Sequence, residues 1–367
     1  MNMIITDPEY RWIWCMRFLI PLLMLLICQP LSAQDSTALP ATDIYLLDIS
    51  LDKKGSLQFQ NPVRITKNEN YDNEPWFYPD GSAILYAAVN DSSAGDSSKS
   101  DIYKYDLRTQ KTTVIINTPK MAEYSPMVPP NKVGVSVVRV LEDNVTQILA
   151  RCDDKIDECI NFLPKQKKVA YYVWMDASRV AYVIVDDPMR LLLTTLSTGK
   201  TDTIAEDVGR CVQKVPGKNV QISFVDKGSN PWTIKVYDGK SKKISTVVET
   251  IEDQEDYCYM PDGSLLMGDR TELYHFIPPT ATATMASAHS SSSKQNPPAS
   301  SKTSPANSKG QPVKPEKPKE EKSSKKGRGP WVQVATFKSM VVYQFYRLAV
   351  SPKGDKLAVV TYPDEKP

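Results

Sequence analysis

Pro75-Trp76-Phe77-Tyr78-Pro79-Asp80-Gly81-Ser82-Ala83-Ile84-Leu85-Tyr86 reads as a β-hairpin. Two runs rich in aromatic and β-branched residues flank a Pro-Asp-Gly turn. Pro79 pre-sets φ, Asp80 bonds back to the local backbone, and Gly81 takes a positive φ that other residues resist. The pattern returns at Tyr259-Met260-Pro261-Asp262-Gly263-Ser264-Leu265-Leu266 and again at Leu348-Ala349-Val350-Ser351-Pro352-Lys353-Gly354-Asp355-Lys356-Leu357. Weaker copies stand at Pro126–Lys132, Val173–Ala177 and Val215–Lys218. Apart from the last, which follows a long insertion, the copies recur at roughly 40 to 50 residues, the period of a four-stranded propeller blade. Turns at Gly81, Lys132, Ala177, Gly217, Gly263 and Gly354 therefore predict an all-β, six-bladed β-propeller.

The two ends of the chain complete each other. Asp43-Ile44-Tyr45-Leu46-Leu47-Asp48 reads as a third blade strand with no hairpin before it, and Val63–Thr66 as a fourth. Tyr346–Thr361 supplies a hairpin with no strand after it. Joined, they make one blade and close the ring, which removes the exposed sheet edges that invite aggregation.

The hairpin motif, followed by Asp101-Ile102-Tyr103-Lys104-Tyr105-Asp106-Leu107, resembles the WD-like repeat of TolB-type six-bladed propellers. The resemblance covers nearly all of the chain beyond the leader, and is strongest in the first, fifth and last blades. It implies an exported scaffold whose channel mouth receives a partner. The α/β domain that precedes the propeller in TolB is not expected here, so a role in the Tol-Pal system does not carry over.

Residues 1–33 are expected to be a leader. Met16-Arg17 and the apolar run Phe18–Ile27, ending in Leu31-Ser32-Ala33, fit a cleaved secretory signal with translation starting at Met16, the alternative being an uncleaved anchor. The run is short for a bilayer of about 30 Å. Residues 34–42 read as a linker, 43–277 as blades 1 to 5, and 331–367 as the end of blade 5 and blade 6. Between them, 278–330 is a Ser/Pro/Lys-rich insertion with too few apolar residues to offset the entropy of ordering, and is expected to be disordered. The expected localisation is the bacterial periplasm or the medium.

The chain of 367 residues carries a formal net charge of +2, but Lys and Arg crowd into 294–328 and leave a mildly acidic body. A basic folded face for nucleic acid is not predicted. The 294–328 tract is a solvated linker, a contact for an anionic surface or polymer, or a partner-docking peptide.

No nucleophile elbow or phosphate-binding glycine loop occurs, and no His/Cys/Asp cluster has metal-ligand spacing. Catalytic residues, metal and cofactor are therefore predicted to be none. His289 falls in the insertion, and His275 reads as a strand histidine between Tyr274 and Phe276. Prolyl oligopeptidases carry a similar propeller, but their nucleophile sits in a separate hydrolase domain that is not expected here. Cys152 and Cys159 are candidates for a hairpin-closing disulfide, with free thiols as the alternative. Cys211 and Cys258, near inner strands of neighbouring blades, read as buried thiols.

Charged residues gather near the inner strands: Asp72, Glu74, Glu123, Arg210, Glu255, Asp256 and Arg347. In a propeller these positions border one mouth of the central channel. They form either a receptor for a basic or polar peptide segment or a solvated rim. Two functions remain open. One is a monomeric, non-catalytic scaffold for a cell-envelope protein or peptide. The alternative is a glycan hydrolase or lyase acting through the acidic mouth.

Overall fold

The computed structural model describes residues 39–66, 70–89, 99–153, 159–279, 329–337 and 342–363. They form six four-stranded antiparallel sheets arranged as a β-propeller. The expected leader and most of the insertion lie outside the described residues. The insertion point is nevertheless fixed. It joins the third strand of blade 5, Glu272–Phe276, to the fourth, Val332–Thr336.

Each blade begins with an inner strand. These are Asp72–Phe77, Ala122–Met127, Val169–Asp176, Val208–Lys214, Tyr257–Tyr259 and Val342–Val350 in blades 1 to 6. Each leads through a turn into a second strand at the position marked by the repeated motif. The glycines behave as their turns require: Gly81 has φ +73° and Gly263 φ +87°. Asp80 Oδ1 accepts the Ser82 N–H at 2.9 Å, and Asp262 Oδ1 accepts that of Ser264 at 2.8 Å. Aspartate also caps the turn between third and fourth strands. Asp106 Oδ1 accepts the Thr109 N–H at 2.7 Å, and Asp238 Oδ1 that of Ser241 at 2.8 Å.

Ring closure follows the expected plan. Asp43–Leu51 lies antiparallel to Lys356–Pro363, with Ile44 opposite Val360 and Leu47 opposite Leu357. Leu57–Arg64 completes this sixth blade on the outside. The Ile49 N–H donates to Asp355 O at 2.9 Å, and Lys356 pairs with Asp48.

The apolar side chains are sorted by blade interface. Six buried clusters each draw on two neighbouring blades. Ile44, Ala358 and Val360 pack on Phe77, Ile84 and Tyr86, joining blade 6 to blade 1. Leu47, Leu357 and Val359 pack on Cys258, Leu266 and Phe337, joining blade 5 to blade 6. Burial on both faces explains why second strands such as Ala83–Ala88 are buried throughout instead of alternating.

Cys152 and Cys159 form a disulfide across the third and fourth strands of blade 2, with Cα atoms 4.1 Å apart. Cys211 and Cys258 are free and buried. Removing the bridge with Cys159→Ser should lower unfolding free energy by about 2–3 kcal/mol, the loop-closure value for so short a loop. Urea denaturation of the oxidised and variant proteins checks this, and equal midpoints would contradict it.

Candidate functional site: the central channel

The inner strands do not run smoothly past the axis. Pairing with the second strand is interrupted between Asn73 and Trp76, between Tyr124 and Met127, between Val208 and Val212, and between Phe345 and Leu348. Glu74, Ser125, Arg210 and Arg347 lie in these interruptions. Glu74 and Ser125 have positive φ, at +59° and +50°. Each is followed by proline, which cannot donate to the ladder and so tolerates a bulge. Bulges re-aim side chains; Glu74, Ser125, Arg210 and Arg347 all line the channel.

Two cavities occupy the channel. One, of about 350 Å³, is lined by residues from all six blades, from Pro75–Phe77 of blade 1 round to Leu348–Val350 of blade 6. The other, of about 300 Å³, lies toward the side from which the inner strands enter. Its walls include Tyr71, Tyr124, Tyr171, Tyr346 and Tyr362. Glu74, Tyr171, Arg210 and Arg347 line both and form the waist between them.

At the waist, Arg347 Nη2 lies 3.7 Å from Glu74 Oε1, and its guanidinium carbon sits 5.4 Å from the centre of the Tyr171 ring. Glu74 Oε2 accepts the Ser125 N–H, which ties blade 1 to blade 2. Burial alone would lower the Arg347 pKa, but Glu74 and Asp256 outweigh it and hold the group firmly cationic. Tyr346 stacks on Tyr362 at 4.9 Å, and its hydroxyl accepts from Asn73 Nδ2 at 2.7 Å.

Arg210 faces the channel from blade 4. Its Nε donates to Glu255 Oε1 at 2.7 Å and its N–H to Glu255 Oε2 at 2.9 Å. Lys227 Nζ reaches Oε2 at 3.4 Å. Burial raises the Glu255 pKa, but Arg210 and Lys227 together bring it below the ordinary carboxylate value. The carboxylate comes so close to the backbone that a Cβ on Gly209 would stand 2.5 Å from Oε2. Asp256 Oδ2 lies 3.7 Å from Arg210 Nη2.

Glu74, Arg210, Asp256 and Arg347 thus border the channel cavities. Asp72, Glu123 and Glu255 are not among the lining residues. Asp72 is fully buried, and its backbone exchanges hydrogen bonds with Thr42 Oγ1 at 2.8 and 3.1 Å. Glu123 is fully buried against Arg139, with Nε 2.9 Å from Oε1, and Thr118 Oγ1 donates to the same oxygen at 2.5 Å. Burial raises its pKa, and Asp101 adds to the effect. His275 lies half-buried in the third strand of blade 5, and burial lowers its pKa. Among the described residues no group of three or more His, Cys, Asp or Glu side chains is placed to hold a metal ion.

The tyrosine wall was not anticipated from the sequence. A signal was present: Tyr71, Tyr124, Tyr171 and Tyr346 each fall at or within an inner strand, so a tyrosine recurs with the blade.

No protein-family model matches the sequence, and no curated protein does. Among solved structures, putative TolB from Agrobacterium tumefaciens aligns with a TM-score of 0.54 at 9% identity, over 88% of this chain and 98% of that one. The fold is the TolB-like six-bladed propeller. TolB from Acinetobacter baumannii aligns at a TM-score of 0.46 and 14% identity, over 64% of this chain and 61% of that one. Oligogalacturonate lyase from Vibrio parahaemolyticus aligns at 0.48 and 11%, over 87% of each. At these identities the likeness is one of fold. In the TolB-like frame the described site is the axial channel, where all six blades converge.

Proposed function

We propose that this protein is an exported, non-catalytic scaffold whose channel receives a peptide segment of a cell-envelope protein, acting as a monomer in the periplasm or outside the cell. One observation carries the reading. Two adjoining cavities, which share Glu74, Tyr171, Arg210 and Arg347, lie along the axis and are walled by tyrosines and polar side chains drawn from different blades. Such a lining suits an extended chain, because tyrosine offers a flat apolar face and a hydroxyl at little entropic cost. The channel carboxylates are engaged: Glu74 holds the Ser125 amide and faces Arg347, while Asp256 faces Arg210. That arrangement supports binding more than proton transfer. The 294–328 tract, with its many lysines, would add a contact to an anionic surface.

The test sets binding against turnover. Purified protein should recover one envelope protein in stoichiometric amount and release no product from sugar polymers. Turnover of a polymer, abolished by Glu74→Gln, would overturn the scaffold in favour of a propeller-based lyase or hydrolase.

A further inference from the structure

The entry-side cavity presents a cation, Arg347, among the acidic residues around it. Its charged lining is Arg210, Arg347 and Glu74, two cations to one carboxylate. Glu74 is already committed to the Ser125 amide, and its side chain is only 8% exposed. Glu123 is held away from the cavity by Arg139, whereas Arg210 is itself taken up by Glu255 at 2.7 Å and faces Asp256 at 3.7 Å.

Arg347 is different. Its nearest carboxylate oxygen is 3.7 Å away, and among the described residues its guanidinium makes no hydrogen bond. It is 21% exposed and lies over Tyr171. A guanidinium has five N–H donors in a planar fork that matches a carboxylate. Largely desolvated, and with Glu74 no nearer than 3.7 Å, these donors favour an incoming anion. Guanidinium donors that lack a close acceptor, set within tyrosine walls, complement a chain segment that bears a carboxylate.

We propose that the entry-side cavity binds a carboxylate-bearing peptide segment, anchored on Arg347 with Arg210 beside it. The inference rests on the reading of the channel as a peptide receptor. It favours an acidic ligand where the sequence suggested a basic or polar one.

The wild-type protein can be panned against random heptapeptides displayed with free C-termini, and trigalacturonate, a carboxylate-bearing sugar, titrated in parallel by calorimetry. Selected peptides should be rich in Asp or Glu, or be held by their C-terminal carboxylate. Replacing that one carboxylate by an amide in a selected peptide should weaken binding at least tenfold. Arg347→Gln should weaken the unmodified peptide comparably. The amide arm leaves the protein untouched, so it decides the matter even if the variant folds poorly. Selection of Lys- and Arg-rich peptides, or equal affinity for acid and amide forms, would overturn the anchor while leaving the peptide receptor standing. Binding of trigalacturonate with no peptide selected would overturn the peptide receptor and this proposal with it. Binding of neither probe would overturn both.

Discussion

Replacing Ile44 by aspartate should unfold most of the protein, with a loss of about 5 kcal/mol or more. Ile44 is fully buried at the seam where the two ends of the chain meet. Its backbone is fixed: its N–H donates to Thr66 Oγ1 at 3.0 Å, and its carbonyl accepts the Ile65 N–H at 2.9 Å. The new side chain would therefore stay among Ala358, Val360, Ile84 and Tyr86, in an apolar cluster. Loss of a buried aliphatic side chain costs about 2–5 kcal/mol, and an unpaired buried carboxylate adds several more. Typical domain stabilities of about 5–15 kcal/mol leave little after such a loss. Ile44→Ala should lose only the first part. Val145→Asp, at a position 70% exposed, should change stability by less than about 0.5 kcal/mol. Urea unfolding followed by tryptophan fluorescence ranks the three. A mild effect of Ile44→Asp would mean that the seam is not what closes the ring.

Arg139→Ala should have the second largest effect, a loss of about 3–5 kcal/mol near neutral pH. Arg139 is the cation of a buried pair whose carboxylate, Glu123, is completely enclosed. Its Nη2 also lies 2.8 Å from Cys159 Sγ of the disulfide. Breaking a buried pair from one side strands a charge, which is why the loss exceeds the net value of the pair. The sign of the pH dependence follows from Glu123. Burial raises its folded-state pKa even with Arg139 present. Between the unfolded and folded pKa values the native state binds the extra proton, so stability falls as pH rises through that window. Without Arg139 the folded pKa rises further and the window widens. The loss caused by Arg139→Ala should therefore shrink below the ordinary carboxylate pKa, at about pH 4. Equal losses at both pH values would show that Glu123 is not the group left behind. Replacing both partners with apolar residues of similar volume should be far milder than the single change.

The blade plan was legible because it is written in local chemistry. Pro79-Asp80-Gly81 and Pro261-Asp262-Gly263 can form only a few backbone shapes, and their spacing counts the blades. Asp43–Asp48 resembles Asp101–Asp106 closely enough to be recognised as a strand lacking its hairpin, and the register of Ile44 on Val360 follows. The channel was legible only in part. Asp72, Glu74 and Glu123 look alike in sequence, since each stands near the start of an inner strand. The bulges at Glu74 and Ser125 break the two-residue alternation that would have told them apart. Pro75 and Pro126 were the available clue, because neither can donate to a central ladder. The charge of the cavity was hidden for another reason. The cations that neutralise Glu123 and Glu255 come from other strands, at Arg139, Arg210 and Lys227, so counting nearby acids overstated the negative character.

The most direct measurement is photo-crosslinking in living cells, with a photoreactive amino acid placed at Tyr346 on the channel wall or at Ile244 on the outer strand of blade 4. Ile244 is 43% exposed and lies on the outermost strand of its sheet. If the channel is the binding site, one envelope protein is captured from Tyr346, through a defined segment, and none from Ile244. Capture of the same protein from Ile244 with none from Tyr346 would place recognition on the outer surface and contradict a channel receptor.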